Sequence, residues 1–299
     1  MYRIKKYDVW ASEIAGYLNK TLEGKDFKIT SFRSIKTEPA LKRLRQEDVD
    51  TGAKTLLIAK HPMPEFPCAG YIQSENPDLD LAYILREFFA SSPLNEIHPT
   101  AVVSPEARIG RNVMVGAHSV IGPDVVVGDN TKILSGVVIN GLVTIGKFCV
   151  IKDGAVLGSE GWGFIKDEEG IPFHPPQLGH ILVEDKVWIG SNSTIERAMI
   201  EDTLIGADVK VDDLVHIGGG SRIGSKSELT AGVVIASNVV IGKNVRVAPN
   251  AVIRENLQIG DNVLVGQGAV VIDNLPADQI YVGNPARLLK KRGARRAES

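Results

Sequence analysis

Aliphatic residues recur every six positions along most of this 299-residue chain. The series is unbroken over 97–157, resumes over 183–195, passes through two five-residue steps at Ile200 and Ile205, and is strict again over 211–271. A period of six fits neither a helix, at 3.6 residues per turn, nor a simple alternating strand. It is typical of a hexapeptide parallel β-helix, in which each hexad turns one aliphatic side chain inward. With three hexads per coil, the pattern predicts about eight or nine coils and a length of roughly 40 Å.

The hexads divide the chain into three predicted regions. Residues 1–96 lack the repeat and predict a small α/β domain, residues 97–275 predict the β-helix with a loop insertion at 159–180, and residues 276–299 form a C-terminal tail. The elements predicted for the first region are a helix over 13–20 capped by Ser12, strands over 28–32 and 55–59, and a helix over 79–90.

Composition excludes several classes of protein. The 34 Lys and Arg residues against 36 Asp and Glu leave a net charge of −2, which gives no general attraction to nucleic acid. Cys68 and Cys149 lie far apart, which excludes a disulfide scaffold or a thiolate metal site. The N-terminus lacks the apolar core of a signal peptide, and no apolar run approaches membrane-spanning length. We therefore expect a cytoplasmic protein without a membrane span and without a metal site.

One central stretch carries a specific resemblance. The segments 158–164 (GSEGWGF), 176–179 (PQLG), 189–197 (IGSNSTIER) and 202–206 (DTLIG) resemble the signature of the UDP-3-O-acylglucosamine N-acyltransferases of lipid A biosynthesis. The resemblance implies a mainly β protein built on a left-handed parallel β-helix, although the general rule for parallel crossovers favours the right hand. It also implies a cytoplasmic homotrimer with active sites between subunits, acting in lipopolysaccharide or surface-glycan synthesis.

Three features depart from that family. Its catalytic histidine follows the pattern Asp-Asn-x-x-x-Ile-Ala-His-Asn, and this position is Gly219 here. A second family histidine aligns with Asn256. The segment Val282-Gly-Asn-Pro-Ala-Arg287 is instead similar to coenzyme-A-dependent acetyltransferases with the same β-helix, and this resemblance implies an acyl-coenzyme A donor.

Because the family histidine is absent, the choice of base and the choice of acceptor must both be reconsidered. A hydroxyl acceptor needs a strong general base, whereas an amino sugar, with a pKa of about 8 by analogy with an α-amino group, is already partly neutral. His216 is the first candidate for the catalytic group, with Asp212 and Asp213 to orient it or the amine. The alternative interpretation of His216 is an outward-facing residue with a structural hydrogen bond. Further candidates for a base are His118, Glu196, His174 and His180.

The remaining predicted site residues come from the insertion, the neighbouring coils and the tail. Trp162 and Phe164 offer flat apolar surface to a sugar or base, and a backbone N–H, which the resemblance places near Ser237, is expected to stabilise the oxyanion. The residues predicted to bind substrate are Trp162, Phe164, His174, Gln177, Asn192, Glu196 and Arg197. Those predicted to bind the donor are Asn284, Arg287 and Lys290, because Arg and Lys favour phosphates.

Three functions remain open at this stage. The first is an N-acyltransferase that moves an acyl group, in this interpretation acetyl, from acyl-coenzyme A as co-substrate to a nucleotide amino sugar, with no permanently bound cofactor. The second is the lipid A enzyme itself, which takes a long acyl chain from acyl carrier protein. The third is a sugar-nucleotide-binding homologue that has lost catalysis. A carbonic anhydrase with the same fold is excluded because the six histidines lack zinc-ligand spacing.

Overall fold

The computed structural model describes residues 3–4, 9–26, 28–29, 31–35, 55–61, 70–91 and 96–291. Contacts divide the chain into two units, 1–93 and 94–299. Cys68 and the basic residues Arg292, Arg295 and Arg296 lie outside the described residues. Within the described ranges, no helix combines the length and the apolar character that crossing a membrane requires.

The first unit contains a four-stranded sheet with short helices. Its strands, in sheet order, are Leu22–Gly24, Gly70–Gln73, Thr55–Ala59 and Ser31–Ile35, of which only the first is antiparallel to its neighbour. The other elements are helices Ala11–Tyr17 and Pro77–Ile84, a π-helical turn Leu85–Phe89, and a two-stranded pair Arg3–Ile4 with Ala90–Ser91. Ile14, Leu56, Ile58, Ile72 and Ile84 are buried between them.

Local signals predicted part of this unit. The strand over 55–59 is confirmed, whereas the predicted strand over 28–32 is displaced to Ser31–Ile35. Ser12 is not the helix cap, because the N-cap is Trp10 and the Ser12 hydroxyl donates instead to Asp26 at 2.7 Å. The last helix begins two residues early, at Pro77, because the Asn76 side chain accepts from the N–H of Leu79 at 3.4 Å.

The second unit confirms the left-handed parallel β-helix. Three sheets, parallel except for the last strand of the third, form the sides of a triangular coil, and we call them the first, second and third faces. The first face has nine strands: Val102–Val103, Val120–Ile121, Val138–Ile139, Val156–Glu160, Thr194–Arg197, His216–Ile217, Val234–Ile235, Val252–Ile253 and Val270–Val271. The second has eight: Arg108–Ile109, Val125–Val127, Val143–Ile145, Ile181–Val183, Thr203–Ile205, Arg222–Ile223, Val240–Ile241 and Gln258–Ile259. The third has ten: Met114–Val115, Lys132–Ile133, Val150–Ile151, Trp188–Ile189, Lys210–Val211, Glu228–Leu229, Arg246–Val247, Leu264–Val265, Gln279–Val282 and Arg287–Lys291.

The hexad residues fill the interior of the coil. Ile139, Leu157, Ile195 and Ile217 follow one another up the first face and are fully buried. Burial of such a side chain contributes about 1.5–3 kcal/mol to the free energy of unfolding, so the stacked hexads supply most of the driving force for folding. The predicted hexad position of Ile200 is wrong, because 76% of its surface is exposed. The segment between Ile195 and Ile205 is therefore one long corner rather than two short hexads.

Polar side chains at the corners form hydrogen bonds between consecutive coils. Asn238 and Asn256 both adopt positive φ, and the amide of the first donates to the side-chain oxygen of the second at 3.3 Å. Buried hydroxyls bridge the coils as well. Ser221 Oγ donates to the carbonyl of Ala236 at 3.0 Å and accepts from the N–H of Val239 at 3.2 Å. These bonds satisfy backbone groups that the short strands leave unpaired.

The outer surface of the first face is apolar. We call its outward-facing residues the valine row; they align one above another as Val102, Val120, Val138, Val156, Thr194, His216, Val234, Val252 and Val270. Four of the valines are more than a third exposed. Only Thr194 and His216 interrupt the aliphatic surface. An exposed apolar strip of this length is unusual on a protein that works alone.

The last two strands form a hairpin that closes the end of the solenoid. Gln279–Val282 continues the parallel third face, and Arg287–Lys291 pairs with it antiparallel. The turn between them contains a cis peptide bond at Asn284–Pro285. Tyr281 and Ala286 pack into the solenoid core. The hairpin is therefore part of the folded body and covers its last coil.

Candidate active site

A cavity of about 320 Å³ lies at the corner that joins the first face to the second. Its lining residues are Gly161, Trp162, Gly163 and Gln177 from the insertion, Arg197 to Glu201 from the long corner, and Gly219, Ser237 and Asn238 from the next two coils. The structure thus brings together four predicted site residues, Trp162, Gln177, Arg197 and Ser237, with the position of the absent histidine.

Gly219 packs against the backbone of the long corner. A β-carbon at this position would overlap the carbonyl oxygen of Arg197 and would lie 2.6 Å from its carbonyl carbon and 2.7 Å from the nitrogen of Ala198. Real β-carbons do not approach main chain so closely. The place of an imidazole is therefore taken by backbone from the preceding coil.

Ser237 presents its backbone to the same cavity. A β-carbon on Gly218 would lie 2.7 Å from the Ser237 nitrogen, so this glycine permits close approach of the two coils. The Ser237 carbonyl accepts from the N–H of Asn256, while its own N–H forms no hydrogen bond to any of the residues that the structure describes. An unpaired N–H at a cavity wall is suited to stabilise a developing oxyanion. The side chain of Asn256 accepts the corner hydrogen bond from the Asn238 amide.

His216 lies in the valine row, next to two polar side chains of the preceding coil. Its Nδ1 is 2.9 Å from Thr194 Oγ1, and its Nε2 is 3.8 Å from Glu196 Oε2. Burial raises the pKa of the Glu196 carboxyl, and the charge of His216 and a hydrogen bond from the Trp162 N–H oppose that rise. The Glu196 oxygen also lies 3.2 Å from the point where a β-carbon on Gly161 would stand. This carboxylate therefore joins His216 to two residues of the cavity wall.

Aromatic rings line up along the insertion. The Trp162 and Phe164 rings lie 4.9 Å apart, and the Phe164 and His174 rings 4.8 Å apart. His174 Nε2 is 3.0 Å from the carbonyl of Gly161. The Trp162 side chain is 85% exposed, so its flat surface is free to meet a ligand.

Polar groups with little exposure form hydrogen bonds within the insertion and between the coils next to it. Gln177 is 3% exposed, and its side-chain amide donates to the carbonyl of Pro175 at 2.9 Å. Arg197 Nε donates to the carbonyl of Gly158 at 2.9 Å, and its guanidinium lies 3.8 Å from Glu160 Oε1. The structure thus gives Gln177 and Arg197 local partners that hold the cavity wall in place.

Three other predicted residues lie at the corner between the third face and the first. Asp213 Oδ1 accepts from Lys152 Nζ at 2.6 Å and from the N–H of Ser191 at 2.7 Å, and these bonds, Lys152 first, lower the pKa of its carboxyl despite partial desolvation. Asp212 accepts from the N–H of Asp213 at 2.9 Å. Asn192 occupies a positive-φ corner position. The structure does not bring these three residues to His216 or to the cavity.

The predicted donor-binding residues lie on the terminal hairpin. Arg287 and Lys290 belong to the last strand of the third face, and Asn284 lies in the turn before it. The third face is opposite the corner that holds the cavity, because the coil is triangular. Within one chain, the structure therefore does not join these residues to Gly219 and Ser237.

Sequence reasoning missed part of the cavity wall. Ala198, Met199 and Ile200 line it, yet none carries a recognisable motif. The sequence feature that could have identified these wall residues is the break in the hexad series between Ile195 and Ile205. A break that is not a multiple of six marks a corner that must protrude, and the protruding residues form the wall.

Comparisons with known proteins agree with this architecture. Models of the bacterial transferase hexapeptide (six repeats) match residues 106–141 and 238–273, and one of the hexapeptide repeat of succinyl-transferase matches residues 214–249. A UDP-3-O-acylglucosamine N-acyltransferase from Coxiella burnetii is 32% identical over 254 residues, covering 76% of this chain and 74% of that protein. A protein of the same name from Pseudomonas syringae is 33% identical over 252 residues, covering 75% and 71%.

A solved structure shares the fold at greater distance. The UDP-N-acetylglucosamine O-acyltransferase from Moraxella catarrhalis superposes with a TM-score of 0.61 at 23% identity, over 66% of this chain and 75% of that one.

Proposed function

This chain belongs to the UDP-3-O-acylglucosamine N-acyltransferase family, and from that premise we propose that it transfers an acyl group from a thioester to the amine of a UDP-3-O-acylglucosamine. The observation that carries the proposal is the corner cavity, where the insertion, Gly219 and the Ser237 N–H meet. The amine nitrogen attacks the thioester carbonyl there, and the Ser237 N–H stabilises the oxyanion of the tetrahedral intermediate.

An amine acceptor suits a site without a histidine at position 219. A nucleotide-linked amino sugar, with a pKa of about 8 by analogy with an α-amino group, is partly neutral near pH 7.5 and is already a nucleophile. Holding it beside the thioester contributes most of the acceleration through proximity and orientation. A hydroxyl acceptor would need a stronger base than this corner offers.

The surroundings of the cavity favour a long acyl chain over acetyl. Met199 and Ile200 line the cavity beside Trp162, and Leu178, whose N–H donates to the Met199 carbonyl at 2.9 Å, is 69% exposed. Such apolar surface gains about 25 cal/mol for each Å² that an acyl chain covers. We propose acyl carrier protein as the donor, since Arg287 and Lys290 lie away from the cavity and lend coenzyme A no support within one chain.

The valine row supports a homotrimer. A flat face with exposed valines such as Val120 and Val234 needs a cover, and a second copy of the same flat-sided solenoid is a matching one. His216 lies in that row, so the cover would close over the polar group beside the cavity.

Mass spectrometry of product formation tests the proposal. The pure protein is incubated with a UDP-3-O-acylglucosamine and, in separate arms, with long-chain acyl carrier protein, long-chain acyl-coenzyme A and acetyl-coenzyme A. We expect an amide product, formed fastest with long-chain acyl carrier protein. Fastest turnover with acetyl-coenzyme A would restore the acetyltransferase interpretation, and no product in any arm would contradict the proposed activity.

One observation favours a second candidate. Because backbone fills the place of the family histidine at Gly219, a sugar-nucleotide-binding protein without catalysis fits the corner as well. Calorimetric binding of the nucleotide sugar, together with no product in any donor arm, would identify that function.

A further inference from the structure

Glu196 occupies an unusual position for a carboxylate in this fold. It lies on the first face, between His216 on the next coil and the insertion, and its side chain is 19% exposed. Its carboxylate accepts a hydrogen bond from the N–H of Trp162, a cavity residue. It also stands beside Gly161, where the missing side chain leaves room for it.

His216 is held in one orientation behind this carboxylate. Nδ1 is 2.9 Å from Thr194 Oγ1 and Nε2 is 3.8 Å from Glu196 Oε2; in the tautomer that donates from Nδ1 to Thr194, the lone pair of Nε2 faces Glu196. The imidazole lies on the outer surface of the first face, so a proton on Nε2 is carried away from the cavity wall. The three side chains therefore form a line from the cavity wall to the outer face.

Resting on the proposed function, we propose that Glu196 is the general base of this chain and that His216, oriented by Thr194, is the positioning residue that relays the proton away. The amine nitrogen bonds to the thioester carbon, its proton passes to the Glu196 carboxylate and then to His216 Nε2, the carbon–sulfur bond breaks, and the thiolate leaves with the electron pair and takes a proton from solvent. No other reactant is needed.

Neighbouring charges are compatible with this role. Arg197 follows Glu196 in sequence, but its guanidinium is directed to Gly158 and Glu160. Glu160, on the adjacent strand, lies near Arg197 and 3.7 Å from His174 Nδ1. His216 is thus the basic side chain that faces Glu196, and burial keeps the carboxyl a better proton acceptor than an exposed one.

Kinetics of Glu196→Gln, His216→Gln and the double variant test the relay. We expect Glu196→Gln to lower kcat by about 10²-fold with little change in KM, and to remove the acid-side inflection of the pH profile. The double variant should be no slower than Glu196→Gln, because the pair acts as a unit. Glu228→Gln, which removes a carboxylate paired with Arg246 on the third face, is the control and should keep full activity. A change confined to KM, or fully additive losses, would overturn the relay.

A titration that needs no turnover separates this inference from the proposed function. The carboxyl carbon of Glu196 is followed by ¹³C NMR in the folded protein. We expect a midpoint above that of an ordinary glutamate, and a higher one in His216→Gln, because the imidazolium no longer favours the carboxylate. If the wild type gives no product, the proposed function fails, and unchanged midpoints in both proteins would overturn the pair independently.

Discussion

The carbonyl group of Arg197 occupies the space that any side chain at Gly219 would need. This one contact decides what chemistry the corner cavity can hold, since it excludes a base at the position where the family keeps one. The protruding corner that carries Arg197 also supplies the cavity wall.

Restoring the histidine should not restore a family-like site. We expect Gly219→His and even Gly219→Ala to destabilise the protein by about 1–3 kcal/mol or more, because main chain must move to admit the β-carbon. Denaturant unfolding measures the loss. Gly136→Asn is the control: Gly136 has positive φ with open space around it, as the corner asparagines have, and its replacement should change stability by less than about 0.5 kcal/mol. A stable, more active Gly219→His would contradict the packing argument.

The buried hydroxyl of Ser221 should stabilise the fold through its two hydrogen bonds to backbone groups. Ser221→Ala leaves the Ala236 carbonyl and the Val239 N–H without their partner, at a cost of about 1–3 kcal/mol. Thermal unfolding by circular dichroism measures it. Ser221→Thr, which keeps the hydroxyl, should lose less, and equal losses in the two variants would show that packing matters more than the hydrogen bonds.

The ionised carboxylate of Glu196 should destabilise the folded protein at neutral pH. Burial raises the pKa of its folded carboxyl, so its favourable contribution is complete only below the unfolded pKa and is lost as the pH rises through the folded value. At neutral pH the ionised side chain therefore lowers the free energy of unfolding. We expect Glu196→Gln to raise the unfolding midpoint at pH 7 and to have little effect near pH 4.

Glu228→Gln provides the matching comparison for that measurement. Its carboxylate is exposed and lies 2.9 Å from Arg246, a pair worth about 0–1 kcal/mol. We expect no gain in stability at pH 7 from this variant. A gain equal to that of Glu196→Gln would mean that removal of any surface charge stabilises the fold.

The valine row should hold the subunits together. Val234→Asp places a charge in the apolar strip, and we expect it to turn a trimer into monomers in sedimentation velocity. Met114→Asp is the matched control, because Met114 faces outward on the third face. A monomeric wild type would remove the shared-face arrangement, and a trimeric Val234→Asp would place the interface on another face.

Trp162 should act on the ligand and not on the fold. Since 85% of its surface is exposed, Trp162→Ala should change stability by less than about 0.5 kcal/mol. Loss of its contact with the ligand should raise KM about ten-fold, which corresponds to about 1.4 kcal/mol. Phe173→Ala, also exposed but outside the cavity lining, is the control. Equal effects of the two variants would show a general role of the insertion.

Periodic features of this protein follow from the sequence, and aperiodic ones do not. The hexads predict the β-helix because each inward residue repeats the same burial, coil after coil. The role of Ile200 could not be predicted in this way, because a corner four residues longer than a hexad has no register to follow. Gly219 was recognised as a departure from the family, but what fills its place depends on where the Arg197 carbonyl points. The contact of His216 with Glu196 likewise depends on which strands become neighbours across the long corner.

The antiparallel strand Arg287–Lys291 gives the solenoid a definite length. A stack of parallel coils presents a fresh strand edge after every turn, and an open edge is a template on which another copy could continue the stack into a fibre. Here the chain folds back over that edge, and Lys290 and Lys291 set positive charges along the new border. The segment that resembles a donor-binding tail thus also acts as a terminator, which keeps a repeating architecture from becoming a polymer.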